Sequence, residues 1–260
     1  MRAVVVVIIG LLVAGCAGRP QTPHPTTARV AAAADLRFAF DDLSAAFKSE
    51  NPVLSLEVTF GASGSFFAQL SEGEPFDVFL SANTEYPKKL VEQGRGWEFS
   101  MFTYAVGHLA VWVPKSSAVD IERLGIRGVA DPAVRKVAIA NPRHAPYGQA
   151  AEAALKRAGV YDQVKDRLVL GENVAQAAQL AESRAADIGV IALSLALSPT
   201  LREQGKFVEV SGDLYLPLEQ GVVILKWAEK NTAAGAFRDF LATEKARIVL
   251  EKFGFRRPKG

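Results

Sequence analysis

The chain is poor in the residues that build disulfide frameworks and zinc sites. A single cysteine, Cys16, and three histidines, His24, His108 and His144, stand in 260 residues. One thiol cannot form an internal disulfide, and this Cys and His supply falls short of the usual structural zinc set. A strong charge of either sign is also lacking, because 30 Lys plus Arg offset 28 Asp plus Glu to leave a formal charge of +2. Such a balance argues against a nucleic-acid binder, which carries a concentrated basic face. No repeat with a period of about 20–50 residues is visible, which excludes a solenoid. With 49% hydrophobic and 22% charged residues, the remainder has the composition of a globular protein, and disorder over most of the chain is excluded. At roughly 150 residues per domain, the length allows one or two domains.

Arg2 precedes an unbroken apolar run from Ala3 to Ala14, too short for the about 20 residues that span a bilayer. A charged start, a short apolar stretch and small residues describe a secretory signal peptide over 1–15. The sole cysteine ends the string Leu12-Val13-Ala14-Gly15-Cys16, which resembles the lipobox of bacterial lipoproteins. The expectation is therefore cleavage before Cys16, a lipid on that residue, and a Pro- and Thr-rich tether over 16–28. A domain held outside the cytoplasmic membrane must work without ATP.

From Arg29 onward, short apolar runs alternate with amphipathic stretches, the pattern of an α/β fold. Val30 to Ala34, Leu54 to Phe60, Asp77 to Ala82, Val137 to Ala140 and Ile188 to Ala192 read as strands. Helical spacing follows most of them. Two further apolar strands, Phe102 to Val113 and Gly221 to Trp227, separate blocks of this alternation. Taken as crossings between lobes, they divide the chain into 29–105 plus 225–260 and 106–224.

Four strand-to-helix junctions carry the chemistry. They are Asp35-Leu36, Gly61-Ala62-Ser63-Gly64-Ser65, Ala145-Pro146-Tyr147-Gly148 and Glu172-Asn173-Val174. Each helix start leaves backbone N–H groups without intrahelical partners at the positive end of the helix dipole, and such ends bind oxyanions. Gly61 and Gly64 allow close approach, Ser63 and Ser65 add hydroxyl donors, and Pro146 suits an early helical position. Taken singly, each junction is also an ordinary cap or turn. The Lys and Gly spacing of a P-loop is absent.

Several strings together resemble one family. Ala32-Ala33-Ala34-Asp35-Leu36, Gly61-Ala62-Ser63-Gly64, Asp77-Val78-Phe79-Leu80-Ser81-Ala82, Asn141-Pro142 with Ala145-Pro146-Tyr147-Gly148, and Ala186-Asp187-Ile188-Gly189 occur in this order. The chain resembles the periplasmic molybdate-binding proteins of ABC transporters from about Val30 to Phe255. That resemblance implies a type II periplasmic binding fold, in which two α/β lobes joined by two crossing strands close over a tetrahedral oxyanion. It further implies that Ser63 offers its hydroxyl and N–H, that Tyr147 and Val174 offer N–H groups, and that Ala34 or Asp35 takes the first-helix position. Ala192 stands where one branch of the family has a ligand-binding Tyr. The implied partners are molybdate or tungstate and an ABC permease, with membrane attachment only through the lipid on Cys16. The expected protein is a monomer with no cofactor and no direct protein ligand to the metal.

Asp35 departs from the Ser, Thr or Asn usual at its position. A carboxylate about 4 Å from one negative charge costs roughly 1 kcal/mol in water and about 4 at an effective dielectric of 20. Three outcomes are open. The side chain caps its own helix and points aside, it is protonated, or it accepts a proton from a protonated anion such as hydrogen phosphate or arsenate. Another oxyanion, an organic anion or ferric ion in the same fold is the alternative ligand. A phosphatase or transferase is the alternative class, and it would need a base beside Ser63 or a metal centre. His108 and His144 fit packing or surface roles better than that of a base, so the expected protein is not an enzyme.

Overall fold

The computed structural model describes residues 26–258, so the expected signal peptide, Cys16 and most of the tether lie outside the described residues. Ten strands form in chain order: β1 Thr27–Ala33, β2 Ser55–Gly61, β3 Val78–Ser81, β4 Phe102–Gly107, β5 Leu109–Pro114, β6 Val137–Ala140, β7 Leu168–Gly171, β8 Ile188–Ala192, β9 Gly205–Glu209 and β10 Leu218–Ile224. They make two five-stranded sheets, ordered β2-β1-β3-β10-β4 and β7-β6-β8-β5-β9. Three parallel strands in each sheet are followed by two paired antiparallel. The two sheets thus repeat one plan, one sheet per lobe.

The parallel strands β3, β6 and β8 are nearly continuous, fully buried apolar runs because helices cover both faces, whereas β2 at the sheet edge alternates polar and apolar residues. Lobe one packs Phe40, Phe47, Phe237 and Phe240 edge to face, with neighbouring centroids 5.4–5.8 Å apart. Phe237 and Phe240 come from the helix Thr232–Leu241, so the C-terminal segment returns to the first lobe. Lobe two is built around Trp112, whose indole N–H donates to the Leu201 carbonyl at 3.0 Å.

The crossings differ from the expected ones. The run Phe102 to Val113 breaks at His108, with β4 in the first sheet and β5 in the second. The apolar residues on both sides of Gly107 and His108 hid that break. The return crossing lies in 210–217, and all of β10 pairs within the first sheet. Residues 218–224 therefore sit with the first lobe, although the expected division put them in the second. Glu219 and Gln220 follow Leu218 at the start of this strand, and their polarity masked its first half. Trp227, expected in that strand, lies instead in the short turn Lys226–Ala228. Among the described residues, no helix is long and apolar enough to cross a membrane.

Candidate functional site

In open α/β sheets the carboxyl ends of adjacent parallel strands define a crevice. β1 and β2 end level, Ala33 beside Gly61, and so do β6 and β7, Ala140 beside Gly171. The chain leaves each of these four strands into a helix start, which places two starts from one lobe opposite two from the other. The four starts line one narrow cavity, with Ala34, Ser63, Tyr147 and Val174 in its wall. All four residues are buried.

Each of these residues carries the first available N–H of its helix. Ala34 opens the 3-10 turn Ala34–Leu36, Ser63 opens the helix Ser63–Ser71 and Val174 opens Val174–Glu182. Tyr147 is second in Pro146–Arg157, but Pro146 has no N–H, so Tyr147 supplies the first. The cap residues before three of these starts are Ala33, Ala62 and Ala145, and none of them offers a side-chain acceptor. At the fourth, Asn173 Oδ1 accepts from Ala175 and Gln176 at 3.0 Å each, passing over Val174. The Ser63 hydroxyl oxygen accepts the Ala82 N–H at 2.9 Å, which leaves its proton for another acceptor.

Contacts from both lobes close the cavity. The Gly64 N–H donates to the His144 carbonyl at 2.9 Å, and Ser194 Oγ donates to the Asp35 carbonyl at 2.7 Å. A Cβ on Gly64 would lie 2.6 Å from that His144 oxygen, so only glycine permits the approach. His144 also spans its own lobe, its ring Nε2 lying 2.9 Å from the Glu172 carbonyl and so tying one helix start to the next. Among the described residues, no Lys, Arg or His lines the cavity. The field inside is set by oriented amide dipoles, which stabilise an anion without a counter-ion. A buried amide with no acceptor costs about 1–3 kcal/mol, and a tetrahedral oxyanion offers four acceptor oxygens to several at once.

Asp35 is buried in the same wall, but its carboxyl does not cap a helix. It faces the Tyr147 hydroxyl and the Gln220 carboxamide. Burial pushes the carboxyl up to about 7, while Tyr147, the neighbouring backbone N–H groups and Gln220 restrain the rise. Sequence spacing gave no hint of Gln220, 185 positions away. The other expected site residues, Ala34, Ser63, Tyr147 and Val174, do meet. Ala192 lies buried at the end of β8. His108 sits at the first crossing with Nδ1 3.2 Å from Glu209. Its burial lowers its pKa, as does Arg256. Neither His108 nor His144 is bonded to Ser63.

Comparison with known proteins agrees with this geometry. Residues 28–256 match the family described as bacterial extracellular solute-binding protein. The molybdate-binding protein ModA of Rhodobacter capsulatus is 39% identical over 75% of this chain and 75% of its own. ModA of Azotobacter vinelandii is 36% identical over 87% of this chain and 88% of its own. The solved periplasmic molybdate-binding protein of A. vinelandii superposes with a TM-score of 0.82 at 30% identity, covering 89% of this chain and all of that one. Two α/β lobes joined by two crossing segments thus form the type II periplasmic binding fold here as well. The chain belongs to the family of bacterial extracellular solute-binding proteins.

Proposed function

We propose that this protein captures molybdate or tungstate between its lobes and delivers it to an ABC permease. The observation that carries this reading is the convergence of four first N–H groups, two from each lobe, on one buried cavity that no cationic side chain among the described residues lines. The binding groups are the amides of Ala34, Ser63, Tyr147 and Val174 with the Ser63 hydroxyl. Donors fixed on rigid helix starts favour one size of oxygen tetrahedron, so sulfate and phosphate are rejected by fit. Closure removes water from these hydrogen bonds and strengthens them. Direct bonds from protein to the metal play no part, and no cofactor is required. The two ModA relatives, named for molybdate binding, support the choice of anion.

The protein acts as a monomer outside the cytoplasmic membrane, anchored by a lipid on Cys16 once the signal peptide over 1–15 is removed. It transfers its ligand without chemical change and is not an enzyme. Calorimetric titration with molybdate, tungstate, sulfate and phosphate tests the assignment, the first two being expected to bind most tightly. Tighter binding of phosphate would move the assignment to another oxyanion.

A further inference from the structure

Behind the amides, where both lobes meet the crossing segments, lies a polar cluster that anion capture leaves unused. Asp35 is 1% exposed, and neither of its carboxyl oxygens attains hydrogen-bond geometry with a partner. The Tyr147 hydroxyl, from the opposite lobe, is equally buried and unpartnered. It presses on β4 so closely that a Cβ on Gly107 would lie 2.1 Å from the phenolic oxygen and 2.8 Å from Gln220 Nε2. Gln220 Oε1 accepts the Tyr104 hydroxyl at 3.4 Å.

The helices Val174–Glu182 and Leu193–Ala196 and β2 also pack on the turn that carries Asp35, Ser194 meeting its backbone carbonyl, and the groups facing its carboxyl are Tyr147 from the helix Pro146–Arg157, Tyr104 from β4, Gln220 from β10, and the backbone N–H groups of Asp35 and Leu36. None is cationic. An ionised Asp35 in the closed protein would be a buried charge without a counter-ion, one residue from an amide that holds a dianion. Burying such a charge is opposed unless it is neutralised.

We propose that Asp35 is a positioning residue that takes one proton from solvent as the lobes close over the oxyanion, so that anion capture is coupled to proton uptake. The neutral carboxyl then packs against Tyr147 without repelling the anion and fixes the start of the helix whose Tyr147 N–H reaches the cavity. With the lobes apart, the carboxyl meets water and returns toward the ordinary value of about 3.9, ionised at neutral pH. The loaded form thus holds more protons than the free form. Affinity falls as pH rises between the two pKa values, and above the closed-form value it levels off.

The inference rests on the oxyanion reading, and one experiment separates their failures. The full protein is titrated calorimetrically with molybdate from about pH 6 to 8.5, in two buffers of different ionisation enthalpy, and the proton count is read from the difference in heats. The expected result is close to one proton taken up per molybdate near pH 6, declining toward zero at higher pH. Affinity falls by up to about tenfold per pH unit where uptake is largest. In Asp35→Asn, both the uptake and the pH slope disappear. Molybdate binding with no proton uptake in the unaltered protein, or with undiminished uptake in Asp35→Asn, overturns the coupling and leaves the oxyanion reading standing. Failure of any oxyanion to bind overturns both. If Asp35→Asn does not fold, the two-buffer count on the unaltered protein decides alone.

Discussion

Three of the four helix starts at the cleft lack a side-chain cap, whereas four starts elsewhere in the molecule carry one and those of Ala39–Glu50, Glu85–Glu92, Tyr161–Val164 and Leu193–Ala196 do not. Away from the cleft, Asp120, Ser198, Asn231 and Thr243 cap their helices, their side-chain oxygens accepting the N–H groups of Arg123, Leu201, Ala233 and Ala234, and Ala246. At the cleft the corresponding residues are Ala33, Ala62 and Ala145. Alanine in place of a capping side chain forgoes about 0.5–2 kcal/mol per helix. Asn173 is the exception that fits the rule, since its oxygen serves Ala175 and Gln176 and spares Val174. The cleft helices give up local stability where their N–H groups must remain free for a ligand.

This contrast can be broken most severely by preventing the lobes from bringing their helix starts together. Gly64→Val puts a branched side chain where even a Cβ would lie 2.6 Å from the His144 carbonyl. The expected loss of molybdate affinity is about 100-fold or more, equal to about 2.7 kcal/mol, with an unchanged circular dichroism spectrum because the backbone clash lies between lobes and the contact within the lobe, 2.9 Å to the Tyr86 hydroxyl, is with the far end of a side chain. Retained affinity would mean that closure on Gly64 is not required. Ser63→Ala removes one hydroxyl donor from the cradle. A hydrogen bond to a charged group contributes about 1.5–3 kcal/mol, so titration should show a loss of roughly 10- to 100-fold. Part of any loss of stability in that variant comes from the Ala82 N–H, which loses its acceptor.

Adding a cap at the cleft sharpens the comparison from the other side. Ala62→Asp supplies the acceptor that the four capped helices have, together with a negative charge in the cavity wall. Repulsion of about 1–4 kcal/mol per unit charge at 4 Å predicts a loss of about tenfold or more in molybdate affinity. That loss should ease as the new carboxyl is protonated at low pH. An affinity equal to that of the unaltered protein would show that the uncapped start does not face the anion.

The four starts were legible because Gly, Pro, Ser and Asn punctuate the apolar runs, and local turn chemistry is written in neighbouring residues. Ser63, Tyr147 and Val174 could be named for that reason. The alanines at the cap positions were equally present in the sequence, but a missing acceptor leaves no positive signal until the helix boundary is known. β7 and β9 escaped notice because each is short, at a sheet edge and only partly buried. Edge strands need not show strong apolar alternation. The surroundings of Asp35 were illegible for a different reason. Tyr104 and Gln220 reach it from β4 and β10 of its own lobe and Tyr147 from the opposite lobe, far along the chain, and no spacing rule connects them. Its pKa is a property of that tertiary enclosure and could not be read from a residue at a helix start.

The smallest expected effect comes from removing a cap remote from the cleft. Asn231 serves two N–H groups of the helix Thr232–Leu241 and donates its amide to the Thr27 carbonyl at 3.0 Å. Asn231→Ala should lower unfolding stability by about 1–2 kcal/mol, seen as a melting temperature a few degrees lower. Molybdate affinity should stay within about twofold, because the cap lies on the outer side of the first lobe and shares no partner with the cradle. A loss of stability without a loss of affinity here, set against a loss of affinity at Ala62→Asp, separates a cap that holds the fold from a start kept free for the ligand. Equal effects on both properties at both positions would mean that the alanines at the cleft are incidental.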